Sequence, residues 1–238
     1  CQIVDLEGSD TMKVWFTPEV TEQLIVQVIS QVETYRINPF DYLLEPWAIH
    51  LPLDYPASLL AQLQPYLTGR QIGYSNTIDP VAIQLAQEIA QDVEGNVPRF
   101  LSELNQRIYD HCQYAIRDLG DPLPPGITWT QKVGSCRDVT VLFIEVCRAA
   151  GLAARFVSGY QEGDLDSTDF HLHAWAEVYL PGAGWRGFDP THGLAVADRH
   201  IALVSSAVSS YAAPISGSFN RSGGAQSEMT YQLLIQRS

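Results

Sequence analysis

Gly134-Ser135-Cys136-Arg137-Asp138 runs directly into Val139-Thr140-Val141-Leu142-Phe143-Ile144-Glu145-Val146-Cys147-Arg148-Ala149-Ala150-Gly151, and the reading of this stretch decides the fold. Val139, Leu142, Phe143 and Val146 fall on one apolar stripe of a helix. Gly151 supplies the residue at which such a helix ends, so Cys136 stands at its first turn. Unpaired backbone N–H groups and the positive end of the helix dipole favour a thiolate there. Arg137 adds a positive charge, while Asp138 opposes the effect. The Cys136 N–H is also placed to serve as one oxyanion donor. A cysteine at a helix start is by itself more often structural than reactive, so the chemistry depends on what else joins it.

Downstream, 154–160 has the pattern of a buried strand. Segments 170–180 and 184–189 read as a hairpin around Pro181-Gly182-Ala183-Gly184. Along the first of these, Leu172, Ala174, Ala176, Val178 and Leu180 form a wholly apolar row that belongs in a core. His171, His173, Trp175, Glu177 and Tyr179 form the other row, polar and aromatic, as in the wall of a cleft or a half-exposed surface strand. Asp189 closes the hairpin's second strand, with Pro190 stopping the ladder. Antiparallel pairing would bring Asp189 near His173, where a carboxylate fixes the imidazole tautomer. The alternative for Asp189 is an Asx turn over Pro190-Thr191.

Upstream of the Cys136 helix, Met12–Phe16 and Glu19–Tyr35 are rich in Val, Ile and Thr and are expected to be strands. Residues 38–54, with Pro39, Pro46 and Pro52, read as an irregular connector. Helices are expected at 57–67, from Pro80 to about Val93 with Asp79 as N-cap, and from about Pro98 to Arg117. Gly120–Gly126 reads as a stiff Pro-rich loop. His200–Val204 and Met229–Ile235 are further expected strands, with a Ser/Gly/Ala-rich stretch over 205–224 between them. Helices followed by an antiparallel sheet define an α+β fold. The expected division is a β appendage over 1–54 and a catalytic core over 55–238.

The 238 residues carry a net charge of −13, and 46% are hydrophobic. That composition suits a folded globule, and the acidic surface removes the electrostatic drive for nucleic-acid binding. No apolar run approaches the ~18 residues of a membrane span. The four cysteines show no zinc-like spacing, and a reducing, cytoplasmic setting is the expectation. The chain opens with Cys1 and not Met, as a piece of a longer protein would. The acidic segment Glu162–Asp169 lacks the spacing of a calcium loop. His50, His111 and His200 have no partners at ligand spacing, and neither metal nor cofactor is expected.

Gly-Ser-Cys-Arg-Asp (134–138), the Cys-Arg-Ala-Ala-Gly-Leu run from Cys147, His-Ala-Trp-Ala-Glu-Val-Tyr-Leu-Pro-Gly-Ala-Gly-Trp (173–185) and Phe-Asp-Pro-Thr-His-Gly (188–193) together resemble the transglutaminase-like superfamily, most closely its bacterial branch. The dense similarity covers about 134–193. The resemblance implies a papain-like core, with the Cys helix packed on an antiparallel sheet and part of a small β domain ahead of it. It implies Cys136 as nucleophile, His173 as general base and then acid, and Asp189 as orienter. Such a protein is a cysteine-dependent acyl-transfer enzyme acting on protein or peptide amides, as a peptidase, an amidase or a transglutaminase. The reading from a different class is a non-catalytic binding or scaffold module with the same fold. His192 departs from the pattern, since close relatives more often carry a small residue there.

Overall fold

A computed structural model describes residues 2–4, 10–16, 23–72, 75–117, 120–162, 171–217, 228, 230 and 232–236. At the N-terminal end, β1 (Gln2–Val4) and β2 (Asp10–Met12) pair antiparallel. Described residues 23–35, expected as strand, form no ladder. Ile25 and Ile29 there are 76% and 88% exposed; among the described residues no strand pairs with this stretch, so β propensity has nothing to act on. Residues 42–53 fasten to the body: Leu51 N–H donates to Gly95 O and Val97 N–H to Ile49 O, both at 2.8 Å.

Helix α1 (Ala57–Leu67) leads into the hairpin β3 (Arg70–Ile72) and β4 (Ser75–Thr77). Helix α2 (Pro80–Asp92) begins as its sequence demands, with the Asp79 carboxylate accepting from Val81 N–H at 2.9 Å. Helix α3 (Val97–His111) is capped by Asn96 and stops six residues short of the expected Arg117. Its apolar stripe would continue, but Gln113–Tyr114 (β5) is drawn into parallel pairing with Val133–Gly134 (β6). Between those strands lies α4 (Pro125–Gln131), whose first two residues fall at the end of the expected 120–126 loop. Pro125 sits at its first position, where a missing N–H costs nothing.

Helix α5 (Cys136–Ala149) is the axis of the body. It packs on α2, α3 and α4 on one side and on the sheet strands β7 (Ala154–Gln161) and β8 (His171–Leu180) on the other. Leu142, Phe143, Val146 and Cys147 are fully buried. Gly151, at φ +79°, ends the helix in the left-handed conformation. Both ends are fastened. At the C-terminal end the Arg148 guanidinium donates to Thr68 O, Ala154 O and Ala207 O at 3.0, 2.8 and 2.7 Å.

The sheet is completed by β9 (Gly184–Asp189), β10 (Leu194–Ala195) and β11 (His200–Ser206), in the order β10-β9-β8-β7-β11, all antiparallel. The body is thus α+β, as expected. Of the apolar β8 row, Ala174 to Leu180 are buried against the core, while Leu172 is 39% exposed. The opposite row is less open than a cleft wall: Trp175 is 1% exposed and lies edge-on to His200, with ring centroids 5.2 Å apart. Two strands separate β9 from β11, yet their ends meet, so the sheet curls. Gly159 of β7 permits this: a Cβ there would come within 2.6 Å of the Trp175 ring and collide with Ile201 O.

The expected strand at 229–235 forms no ladder among its described residues, and the acidic segment at 163–169 lies outside the described residues. No helix among the described residues is long and apolar enough to cross a membrane.

Candidate active site

Cys136 occupies the first position of α5 because Ser135 and Asp138 shape the turn before it. The Asp138 carboxylate is wholly buried. One oxygen accepts Ser135 N–H and Oγ–H, each at 2.8 Å. The other takes Leu123 N–H at 2.7 Å and the Arg117 guanidinium at 2.8 Å. Burial alone would raise this carboxyl, but the donors, Arg117 foremost, outweigh it and its pKa falls below the ordinary range. Asp138 therefore clasps Arg117 and Leu123 to the helix start; its charge is spent there and not in opposing a thiolate. Arg137 likewise reaches back, to Gly120 O at 2.9 Å and to Arg117 O.

The Cys136 sulfur is half-buried and faces the sheet. Backbone N–H groups of Ala174 and Arg137 approach it and favour its thiolate, as does the Arg137 charge, but burial dominates and Asp189 adds to it. The thiol's pKa is raised, where the helix start alone led us to expect the reverse. Burial is the physical reason: the cost of taking the anion out of water exceeds what the helix start and the two N–H groups return.

His173 is on β8, one residue before the Ala174 N–H that faces the sulfur. Its Nε2 lies 2.8 Å from Asp189 Oδ2. The ladder between β8 and β9 ends with Ala176 opposite Phe188, so Asp189 stands level with Trp175 and diagonal to His173. Both sequence readings of Asp189 hold at once. Oδ1 accepts Thr191 N–H at 3.0 Å in an Asx turn, and Oδ2 faces the imidazole.

Two further histidines converge on the same oxygen, and sequence reasoning missed both. His192 Nδ1 lies 3.0 Å and His200 Nε2 3.1 Å from Asp189 Oδ2. The only local signal for His192 was its place three residues after Asp189. His200 arrives from the far edge of the curled sheet, which no spacing rule encodes. Asp189 is wholly buried; burial alone would raise its carboxyl, but hydrogen bonds from His173, His192 and His200 hold it well below the usual carboxylate range. An ionised carboxylate only accepts. Each facing ring nitrogen therefore carries the proton, and His173, when neutral, is the Nε2–H tautomer with its lone pair on Nδ1.

His173, Asp189 and His200 bring one potential ligand atom each within 4.8 Å of one another. A metal-bound imidazole normally gives its other N–H to an acceptor, but His200 Nδ1 is buried without a partner. The cluster is better described by its hydrogen bonds. Trp129 lies on α4 with its ring stacked on His111, centroids 3.7 Å apart, which is a packing role.

A helix bearing a cysteine, packed on a curled antiparallel sheet bearing a His–Asp pair, is the architecture of the papain-like transglutaminase core. Residues 83–190, which hold Cys136, His173 and Asp189, match the family model described as transglutaminase-like superfamily. It is 39% identical over 192 residues to a protein-glutamine gamma-glutamyltransferase of Pseudomonas aeruginosa, covering 74% of this chain and 27% of that protein. It is 30% identical over 176 residues to an uncharacterized protein of Mycobacterium tuberculosis, covering 67% of this chain and 52% of the relative. The chain thus spans about half or less of the curated relatives it matches here. A structure solved as a candidate cysteine protease of Cytophaga hutchinsonii superposes with a TM-score of 0.52 at 24% identity, over 70% of this chain and 53% of that one.

Proposed function

We propose that the protein is a cysteine-dependent acyl-transfer enzyme acting on protein or peptide amides, with Cys136 as nucleophile, His173 as general base then acid, and Asp189 as orienter. One observation carries the reading: the Cys136 sulfur sits against the N–H of Ala174, the residue that follows His173 on β8, and His173 Nε2 is engaged by Asp189 at 2.8 Å. The only ring nitrogen left for the thiol proton is Nδ1. Burial raises the thiol's pKa, which favours base-assisted attack. The S–H proton passes to Nδ1 as the S–C bond forms to the carbonyl carbon. The oxyanion is met by the Cys136 N–H at the first position of α5. The imidazolium then protonates the departing amine, the C–N bond breaks, and a thioester remains. In the second half His173 deprotonates water or a primary amine, which attacks the thioester and releases the thiol.

Water makes the enzyme a peptidase or amidase; an amine makes it a transglutaminase. The Pseudomonas relative's name favours the second. The deciding experiment incubates the protein with a glutamine peptide, with and without a labelled primary amine, and reads the products by mass spectrometry. Amine incorporation with loss of ammonia assigns transfer, and deamidation or chain cleavage assigns hydrolysis. Cys136→Ala should abolish either activity and the labelling of that site by iodoacetamide. Labelling confined to Cys1 or Cys147, with Cys136 inert, would sink the reading in favour of a non-catalytic module.

A further inference from the structure

His200 is buried, its side chain only 4% exposed, and it reaches the proposed triad from a different strand. Its Nε2 stands 3.1 Å from Asp189 Oδ2 and its ring edge packs against Trp175. Its Nδ1 is buried without a hydrogen-bond partner. These facts restrict its state. Nε2 must donate, because the carboxylate only accepts. A proton on Nδ1 as well would place an unpaired donor and a charge where no water reaches, a costly arrangement. The Nε2–H tautomer, donating to Asp189, is therefore the form of His200 that leaves no buried donor unpaired. His192 differs: its side chain is 44% exposed, so it can meet solvent when its charge changes.

We propose that His200 is a positioning residue for the His173–Asp189 pair: its neutral imidazole fills one acceptor site of Oδ2, holding the carboxylate ionised and aimed while His173 gains and loses its proton. The proposal rests on the triad reading above. Its logic is competition for one oxygen. With three N–H donors on Oδ2 and the Thr191 N–H on Oδ1, the carboxylate cannot turn, and its negative charge is shared instead of being concentrated on His173. Without His200, Oδ2 binds protons and the His173 imidazolium more strongly, so both ionisations move to higher pH. The charged or titratable groups around His200 are Asp189 on β9, His173 and Glu177 on β8, His192 in the turn, Asp198 ahead of β11, and Arg36. None of the last four lies in a hydrogen bond given to His200 Nδ1.

The test is the pH profile of Cys136 alkylation by iodoacetamide, which needs no substrate, in the wild type, His200→Phe and His200→Gln. His200→Phe should move the profile up by about one pH unit and lower the rate at neutral pH about tenfold. His200→Gln keeps an N–H donor and should restore the profile to within a few-fold. Identical profiles for wild type and His200→Phe would overturn the proposal, as would a Gln variant that behaves like Phe. If the Phe variant does not fold, ¹⁵N spectra of the wild-type histidines at neutral pH decide: His200 must appear as the Nε2–H tautomer, and an Nδ1–H tautomer there defeats the proposal. Failure of the triad reading looks different, because Cys136 in the wild type would then titrate as a lone thiol whatever stands at position 200.

Discussion

Asp138 and Asp189 are both wholly buried carboxylates, both saturated with donors, and both held below the ordinary carboxylate range against the effect of burial. They differ in what donates. Asp138 is held by a guanidinium, backbone N–H groups and a hydroxyl, none of which changes charge near neutral pH. Asp189 is held by imidazoles, the one side chain whose ordinary titration falls in that range. The same physical solution thus gives a permanent clasp at the helix start and a chemically responsive centre at the end of β9. Burial and saturation alone do not distinguish scaffolding from chemistry; the titration range of the partners does.

The contrast breaks most visibly in rate. Asp189→Asn removes the acceptor that sets the His173 tautomer and should lower acyl-transfer activity by about 10⁴-fold, with circular dichroism unchanged. A loss under tenfold would mean that Asp189 is a second clasp. Asp138→Asn should act on stability instead. It leaves the Arg117 charge, Leu123 N–H and the Ser135 groups with an amide, and should cost about 3–5 kcal/mol in urea unfolding. Activity per folded molecule should fall far less than in the Asp189 variant.

Acid sharpens the comparison. Both carboxyls have folded pKa values below their unfolded ones, so the stability they contribute is present above the unfolded value and lost as pH falls through the folded ones. Urea midpoints should hold level near pH 5–7 and drop below about pH 4. The drop should be shallower in Asp138→Asn, by up to about 1.4 kcal/mol per pH unit; equal slopes would show that its carboxylate takes up no proton on unfolding. The smallest effect belongs to the half-exposed donor. His192→Ala should change alkylation of Cys136 at neutral pH by less than about threefold, since His173 and His200 still hold Oδ2.

Much of this was legible where local chemistry decides. Asp79-Pro80 opened α2, the stripe from Val139 to Val146 with Gly151 bounded α5, and the alternation of β8 assigned Ala174, Ala176 and Val178 to the core. Pairing across Pro181–Gly184 put Asp189 beside His173. What stayed hidden was decided by tertiary structure. The end of α3 at His111 depends on a strand pairing 20 residues away, Gln113 with Val133. The start of helix α4 was assigned to the Pro-rich loop because Pro125 was read as a breaker and not as a first-turn residue. The apolar residues of 23–35 carry a strand's composition with no partner to express it. His200 reaches Asp189 from the far edge of the curled sheet, and a curl leaves no period in the sequence.

The two fastenings of α5 have a consequence for time and not only for place. Arg148 ties its last turn to three separate segments, and Asp138 ties its first turn to the loop ahead of it. Such a helix cannot fray from either end without breaking contacts far away in the chain. Its amides should therefore exchange with solvent only through opening of the whole body. The sulfur at its tip then inherits the lifetime of the entire fold, so that its aim is as durable as the protein itself.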